Sequence, residues 1–219
     1  PPCGGGWEGA VSIGLAILMT QQLSINLATL RNGSSFAQMV DDCVQHGVTA
    51  ISPWRDQVAA VGLTEAAGIV KANGLRVTGL CRGGMFPAET VAGRQANIDD
   101  NLRAIDEAAA LGADCLVLVV GGLPGSSRDL PGARQMVADG IGAMLPHARA
   151  SGVPLAIEPL HPMYAADRAC VNTIDQALDI AAQLGEGVGV AIDVYHVWWD
   201  PKLAAAIARA GREGRILAH

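Results

Sequence analysis

Two apolar runs of this chain each end in a carboxylate that is followed three residues later by a histidine. The first run ends at Glu158, with His161 after it. The second ends at Asp193, with His196 after it. An acid that closes a buried strand must be paired, hydrogen-bonded or bound to a metal, because burying an unpaired charge is very costly. The matched positions predict that Glu158 and Asp193 bind one divalent ion together. The alternative is that each acid caps a following turn or pairs with an arginine.

The alternation of side chains along a strand places both acids on faces with small neighbours. Glu158 shares its face with Ala156, and Asp193 shares its face with Ala191, since successive side chains point to opposite sides. Neighbouring strands lie about 4.8 Å apart, so two such acids reach one ion. Oxygen ligands with at most one imidazole favour Mn²⁺, Mg²⁺ or Co²⁺. We expect Mn²⁺, with Zn²⁺ as a further alternative. His219, which ends the chain, is the candidate for a third ligand.

The two histidines have different expected roles. His196 could bind the ion, touch a substrate oxygen or hydrogen-bond its own loop, and we favour substrate contact. His161 stands in the same relation to Glu158, but the prolines on both sides of it also fit a rigid loop. We therefore expect His196 to be catalytic, and we assign His161 to substrate binding.

Arginine and tryptophan side chains at other strand ends are candidates for holding the substrate. The guanidinium fork matches carboxylates and phosphates, so three arginines in such positions indicate an anionic or oxygen-rich substrate. Salt bridges to Asp56, Glu89 or Asp167 are the alternative for these arginines. A tryptophan shortly after Asp193 either walls the pocket or only packs in a loop. The candidate residues are Arg55, Arg82, Arg168 and Trp198.

A repeated order of amphipathic helix, glycine and apolar strand must position these side chains. Glycine after a helix supplies a left-handed cap at little steric cost. Short apolar strands separated by helices indicate a parallel sheet covered by helices. With a first strand over 23–27, the pattern gives seven β-α units, the last without its helix. The predicted helices cover 35–46, 63–73, 95–111, 131–150, 173–184 and 201–211.

Two architectures fit this order of elements, an open doubly wound sheet and a (β/α)8 barrel. No G-x-G-x-x-G sequence follows the first strand, which removes the usual dinucleotide-binding version of the open sheet. Acids at the carboxyl ends of several strands favour the barrel, because barrels place catalysis there. We predict an α/β fold, a (β/α)8 TIM barrel over 19–219 that is truncated after the start of strand seven and so incomplete at the C-terminus. Residues 1–18 are predicted to be a disordered or spurious N-terminal extension.

The bulk composition argues against several classes of function. The chain has 219 residues, half of them hydrophobic, and a net charge of −6. Its 15 basic residues form no stripe, so we expect no nucleic-acid partner. The apolar run 10–18 is too short to span a membrane and follows no positive segment. Five dispersed cysteines without a C-x-x-C pair predict reduced thiols and a cytoplasmic location. Assembly into a homo-oligomer stays open.

Three segments, 157–161, 191–196 and Trp54-Arg55, resemble the xylose-isomerase-like barrel superfamily of sugar phosphate isomerases and epimerases. The resemblance implies that Glu158 and Asp193 bind a divalent ion. It also implies His219, or an immediate neighbour, as a third ligand and His196 as a contact to a substrate oxygen. The glutamate that the family carries on strand eight has no counterpart in this chain.

Other positions bear on the branch of the superfamily. Tyr164 stands where ketose 3-epimerases carry a second glutamate, and the segment 172–178 looks more like hydroxypyruvate isomerase. Endonuclease IV, the DNA repair relative, needs histidines for its three zinc ions where this chain has Arg82 and Gly121-Gly122.

The sequence therefore predicts a divalent-metal-dependent isomerase or epimerase that converts a small sugar, sugar phosphate or hydroxy-keto acid through an enediolate. Glu158 and His196 are the predicted catalytic residues, and a small carbohydrate-like molecule is the expected partner. One alternative is a metal-dependent dehydratase of the inosose dehydratase type. Another is an endonuclease IV-like hydrolase, which we disfavour. The last is a non-catalytic degenerate barrel, or a chain inactive for want of strand eight.

Overall fold

The computed structural model describes residues 23–219, and the predicted extension 1–18 lies outside them. Within this range the strands are short and pair in parallel. Their order along the chain is β1 Ser24–Asn26, β2 Ala50–Ser52, β3 Arg76–Val77, β4 Leu80–Gly84, β5 Leu116–Val119, β6 Leu155–Ile157, β7 Val188–Ala191 and β8 Ile216–Ala218.

Helices lie between successive strands along most of the described chain. They are α1 Phe36–Gln45, α2 Arg55–Val61, α3 Leu63–Ala72, α4 Val91–Leu111, α5 Leu130–Ala150, α6 Ile174–Leu184, α7 Val194–Val197 and α8 Leu203–Arg212. Two short 3₁₀ helices cover Leu27–Leu30 and Pro162–Tyr164.

The strands form two parallel sheets that adjoin each other. One has the order β1-β2-β3 and the other the order β4-β5-β6-β7-β8. Single bridges join them, from Trp54 to Cys81 and from Val77 to Ala113. Strands β3 and β4 therefore share the third position of the barrel, which the sequence pattern predicts as one strand, and β8 accordingly occupies the seventh position. Their interruption is a correction to the predicted third unit, and the predicted α/β TIM-barrel fold is confirmed.

All six predicted helices are present, with shifted ends. The largest shift is at α4, which begins at Val91 instead of 95 because Thr90 caps it by accepting a hydrogen bond from the backbone N–H of Gly93. Two helices were not predicted, α2 and the single turn α7. The Gln57 side chain starts α2 by accepting from the backbone N–H of Trp54 at 3.0 Å. The Asp193 carboxylate starts α7 by accepting from the backbone N–H of Tyr195 at 2.8 Å.

Two separate apolar clusters stabilise the barrel. The larger one packs helices against the outer face of the strands and contains side chains such as Leu116, Leu155 and Val190. The smaller one fills the inside and contains Cys115, Val117, Ala156 and Ala191. Ala156 and Ala191 thus lie in the same cluster, as the alternation pattern predicted. Small side chains on this inner face leave space near the ends of β6 and β7.

The cysteines of the described chain are free thiols. Cys43, Cys115 and Cys170 are buried, and Cys81 is half-buried. Burial raises the pKa of the Cys115 thiol to about 12, which keeps it protonated. This agrees with the predicted role of most cysteines as reduced core residues.

A buried amide on α4 holds the end of β4 in place. Asn101 accepts from the backbone N–H of Gly84 through Oδ1 at 2.6 Å, and its Nδ2 donates to the Gly84 carbonyl at 2.7 Å. The same Nδ2 donates to the carbonyl of Asn97 at 2.8 Å. The backbone of Gly84 thus depends on one side chain for both of its polar groups.

Replacing Asn101 by alanine is expected to lower the free energy of unfolding by about 2–4 kcal/mol, because two buried backbone groups lose their partner. Urea unfolding followed by circular dichroism measures the change. Gln95→Ala, at an exposed position of the same helix that contacts only Asp99, is the control and should change the value by less than about 0.5 kcal/mol. Equal stabilities for the two variants would contradict the assigned role of Asn101.

Candidate metal centre

Three side chains converge at the carboxyl ends of β6 and β7. One ligand atom each from Glu158, Asp193 and His196 lies within 4.8 Å of the other two. All three side chains are half-buried. No other group of three or more histidine, cysteine or acidic side chains with this spacing occurs among residues 23–219.

Backbone pairing carries the two acids to the same height in the barrel. The backbone N–H of Glu158 donates to the Leu118 carbonyl at 3.0 Å, which extends the pairing of β6 with β5. The backbone N–H of Ile192 donates to the Ala218 carbonyl at 2.9 Å, which extends the pairing of β7 with β8. Asp193 follows directly, and the turn α7 that it caps then returns His196 toward it.

The electrostatics of the two acids indicate a site for a cation. Burial, and after it the charge of Asp193, raise the pKa of Glu158 to about 7, although the charge of Arg82 opposes both effects. The carboxylate of Glu158 accepts no hydrogen bond from the residues described. A divalent ion between two such carboxylates removes both the repulsion and the unmet hydrogen-bonding capacity.

The imidazole of His196 is available to the same site. Burial lowers its pKa, which favours the neutral ring. Its Nε2 lies 3.9 Å from Oδ2 of Asp193. Its Nδ1 is buried and has no hydrogen-bond partner within 23–219. Two carboxylates and a neutral imidazole are a donor set that fits Mn²⁺, Co²⁺ or Zn²⁺.

His219 lies apart from these three side chains. It is exposed and follows β8, and it is not a member of the group that lies within 4.8 Å. Its predicted role as a ligand stays a prediction. The structure brings His196 to the two carboxylates, a contact that the three-residue spacing in the sequence indicated and that the turn α7 produces.

Aromatic contacts join the loops after β6 and β7. The ring of His161 packs against Trp198 and Trp199, with centroids 6.3 and 5.8 Å apart. Its Nδ1 accepts from the backbone N–H of Met163 at 3.2 Å, so the loop role that its prolines suggested is present. The indole N–H of Trp199 donates to the His196 carbonyl at 2.9 Å. Trp198 is 69% exposed and can wall a ligand at this edge.

Two of the three candidate arginines have acidic partners. Arg55 donates to Asp100 at 2.8 Å and to Glu107 at 2.7 Å, where Asp56, Glu89 or Asp167 had been the expected partners. Arg168 lies 3.8 Å from Asp167, as the salt-bridge alternative predicted, and its guanidinium covers the ring of Tyr164 at 5.0 Å. Their predicted contacts to substrate stay predictions.

Arg82 differs from these two arginines. It is exposed and has no salt bridge within the described part of the chain. It lines a cavity of about 400 Å³, and its charge reaches Glu158, whose pKa it lowers. The charge of Glu158 also contributes to the raised pKa of Cys81, another residue that lines the cavity. The cavity and the metal centre therefore share the mouth of the barrel.

The sequence did not indicate most of this cavity. Arg31, Met85 and Asn97 line it together with Trp54 and Arg82. Gly83 and Gly84 at the end of β4 also line the cavity, whereas residues on α4 and before α1 reach it only through the tertiary fold.

The chain is thus a parallel barrel in which two acids and a histidine converge at the carboxyl ends of adjacent strands. The family model of the xylose isomerase-like TIM barrel matches residues 39–218. The chain therefore belongs to the xylose isomerase-like TIM-barrel family.

Solved structures agree with this assignment. A protein of Sinorhizobium meliloti 1021 is 70% identical, with 91% of this chain and 73% of that chain covered and a TM-score of 0.90. The 3-keto-D-glucoside 4-epimerase of E. coli is 20% identical over 84% of this chain and 72% of its own, with a TM-score of 0.71. The IolI protein, solved with a zinc atom, is 20% identical over 89% and 70%, with a TM-score of 0.74.

A search of curated proteins found no match. Within 23–219, no helix combines the length and the apolar character that crossing a bilayer requires.

Proposed function

We propose that this protein is a divalent-metal-dependent isomerase or epimerase that acts on a small sugar, sugar phosphate or hydroxy-keto acid through an enediolate. The observation that carries the proposal is the convergence of Glu158, Asp193 and His196 within 4.8 Å. Membership of the family supports it, as does the presence of a sugar epimerase among the solved structures of the same fold. We propose Mn²⁺ as the ion, with Mg²⁺, Co²⁺ or Zn²⁺ as alternatives.

The position of each residue at the barrel mouth gives it a separate proposed role. Glu158 and Asp193 hold the ion, with His219 as the predicted third ligand. A bound divalent ion supplies Lewis acidity toward a carbonyl oxygen. His196 contacts a substrate oxygen, because its ring lies beside both carboxylates and its Nδ1 has no partner within 23–219. Trp198 and His161 wall the site where the loops after β6 and β7 meet.

The proposed chemistry is a proton transfer at carbon. The carboxylate of Glu158 takes the proton from the carbon next to the carbonyl, and the electron pair of that C–H bond passes to the carbonyl oxygen to give the enediolate. Return of the proton to the neighbouring carbon, while the hydroxyl proton passes to the former carbonyl oxygen, completes an isomerisation. Return to the opposite face of the same carbon completes an epimerisation, and this needs a second proton donor besides Glu158.

Metal-dependent exchange of a C–H proton in D₂O tests the proposal. The protein is dialysed against chelator, reloaded with Mn²⁺ and incubated with a panel of ketoses, ketose phosphates and hydroxy-keto acids, while ¹H NMR follows the C–H signals. We expect exchange with at least one substrate class, and only after reloading. Absence of exchange across the panel overturns the proposal.

The same experiment separates the alternatives. A dehydratase eliminates water and produces a new unsaturated or deoxy product, whereas an isomerase returns a product of equal mass. Metal analysis separates the endonuclease IV-like alternative, because the proposed centre binds one ion per chain and that enzyme binds three.

A further inference from the structure

The cavity beside the metal centre contains three arginines, and their pairing decides what it can bind. Arg31, Arg55 and Arg82 all line it. A cavity of about 400 Å³ falls within the range of roughly 300–1,000 Å³ that is usual for small-molecule sites. An arginine can bind an anionic ligand here only if its own charge is not already paired with an acid.

Arg31 is neutralised at the rim of the cavity. Its guanidinium contacts Asp56 at 2.8 Å. It also lies over the ring of Trp54, 5.2 Å from the centroid. Trp54 in turn donates its indole N–H to Oδ1 of Asn26 at 2.8 Å. Arg31 is therefore part of a packed and charge-balanced contact between the ends of β1 and β2.

Arg55 is neutralised more completely. Its Nε and both terminal nitrogens donate to Asp100 and Glu107, at distances from 2.7 to 3.2 Å. Asp100 also accepts from Arg103 at 3.0 Å. Two arginines and two acids thus balance one another, and four of the five N–H groups of Arg55 already donate to Asp100 or Glu107.

Arg82 is the lining arginine with no acid within salt-bridge distance in the described chain. Strand register places Arg82 near the height of Glu158, since Gly83 pairs with Leu118 on β5 and Leu118 pairs with Ile157 on β6. With a divalent ion held by Glu158 and Asp193, the two carboxylates are neutralised, and the positive charge of Arg82 then stands alone at the mouth. This charge lines the cavity on β4, two strands away from β6, after which Glu158 follows.

We propose that the substrate is an anion whose carboxylate or phosphate is bound by Arg82 in this cavity, while its carbonyl end reacts at Glu158. The inference rests on the proposed function and narrows its substrate class. It selects hydroxy-keto acids and sugar phosphates over neutral sugars. It also selects Arg82 from the three arginines that line the cavity, because the other two, Arg31 and Arg55, have acidic partners.

Direct binding of small anions tests this without any need for turnover. Isothermal titration or NMR titration of the metal-free and Mn²⁺-loaded protein uses glycolate and inorganic phosphate as probes and dihydroxyacetone as the neutral comparison. Arg82→Gln is expected to weaken binding of the anions by about 10- to 100-fold, the range for a lost charge-assisted hydrogen bond, and to leave dihydroxyacetone unchanged. Equal anion binding by Arg82→Gln and the unmodified protein overturns the proposal.

A conservative variant separates the two anionic groups. Arg82→Lys keeps the charge and loses the planar fork that matches a carboxylate in two hydrogen bonds. If the natural group is a carboxylate, Arg82→Lys weakens glycolate binding and largely keeps phosphate binding. If the natural group is a phosphate, phosphate binds more tightly than glycolate to the unmodified protein and also to Arg82→Lys. Arg76→Gln is the matched control, since Arg76 is an exposed arginine that starts β3 at the opposite end of the barrel.

The failure of this inference differs from failure of the proposed function. Neutral ketoses could exchange as fast as acids do in the metal-loaded protein, with no effect of Arg82→Gln. That result overturns the anion proposal and leaves the isomerase proposal standing. Anion binding that depends on Arg82 in a protein that exchanges no C–H proton supports the anion site and overturns the isomerase proposal.

Discussion

Replacing Glu158 by glutamine is expected to lower the metal-dependent proton exchange by about 10²–10⁴-fold, the usual contribution of a positioned acid or base. Glutamine keeps the shape of the side chain but can neither take a proton nor bring a negative charge to the ion. The affinity for Mn²⁺ should therefore fall as well, by more than the roughly 10- to 100-fold typical of losing an outer partner of a ligand. Both effects follow from the loss of one carboxylate, which is one of the two acids of the proposed centre.

Two measurements on the same samples check this. Mn²⁺ binding is followed by titration with electron paramagnetic resonance, and exchange is followed by ¹H NMR in D₂O. Glu186→Gln is the matched control, because Glu186 is an exposed glutamate that precedes β7 at the other end of the barrel. A Glu158→Gln protein that binds Mn²⁺ as well as the control does would remove Glu158 from the ligand set.

Replacing Gly84 by alanine is expected to lower the free energy of unfolding by about 4 kcal/mol. Gly84 has a φ of +117°, and a Cβ built there would overlap the carbonyl oxygen of Val119 on the neighbouring strand. The backbone conformation costs roughly 1–3 kcal/mol for a residue with a side chain, and the overlap costs about 1–3 kcal/mol more. The end of β4, which carries Arg82, would move away from β5.

Gly68→Ala is the control for this variant. Gly68 lies in α3, and a Cβ built on it meets no atom within 4 Å. Alanine in a helix interior should raise the free energy of unfolding by roughly 0.5–1 kcal/mol. Urea unfolding of both variants gives the two signs directly. A Gly84→Ala protein as stable as the unmodified one would show that β4 and β5 separate easily at this point.

The two variants act on the two halves of one site. Glu158 belongs to the proposed metal centre, and the pairing of β6 with β5 and of β7 with β8 positions its two acids. Gly84 and Asn101 belong to the wall that carries Arg82, which is set by α4 and by the pairing of β4 with β5. Loss of the wall should weaken substrate binding while the metal centre keeps its ligands.

The sequence by itself determined the parts that depend on local pattern. The alternation of strand side chains places Ala156 and Ala191 in one inner cluster, and the acids that follow them meet at the mouth. The order of helix, glycine and strand predicted a parallel sheet covered by helices, and the acids at the strand ends favoured the barrel over the open sheet. These features follow from the two-residue alternation along each strand and from the order of adjacent elements in the sequence.

Only the tertiary structure decided how the charges pair. Arg55 meets Asp100 and Glu107 from α4, a helix that lies far along the chain. Arg82 is left without a salt bridge among the described residues. Such contacts join positions that are distant in the sequence, and their geometry follows from close packing of the whole barrel, which no local pattern records.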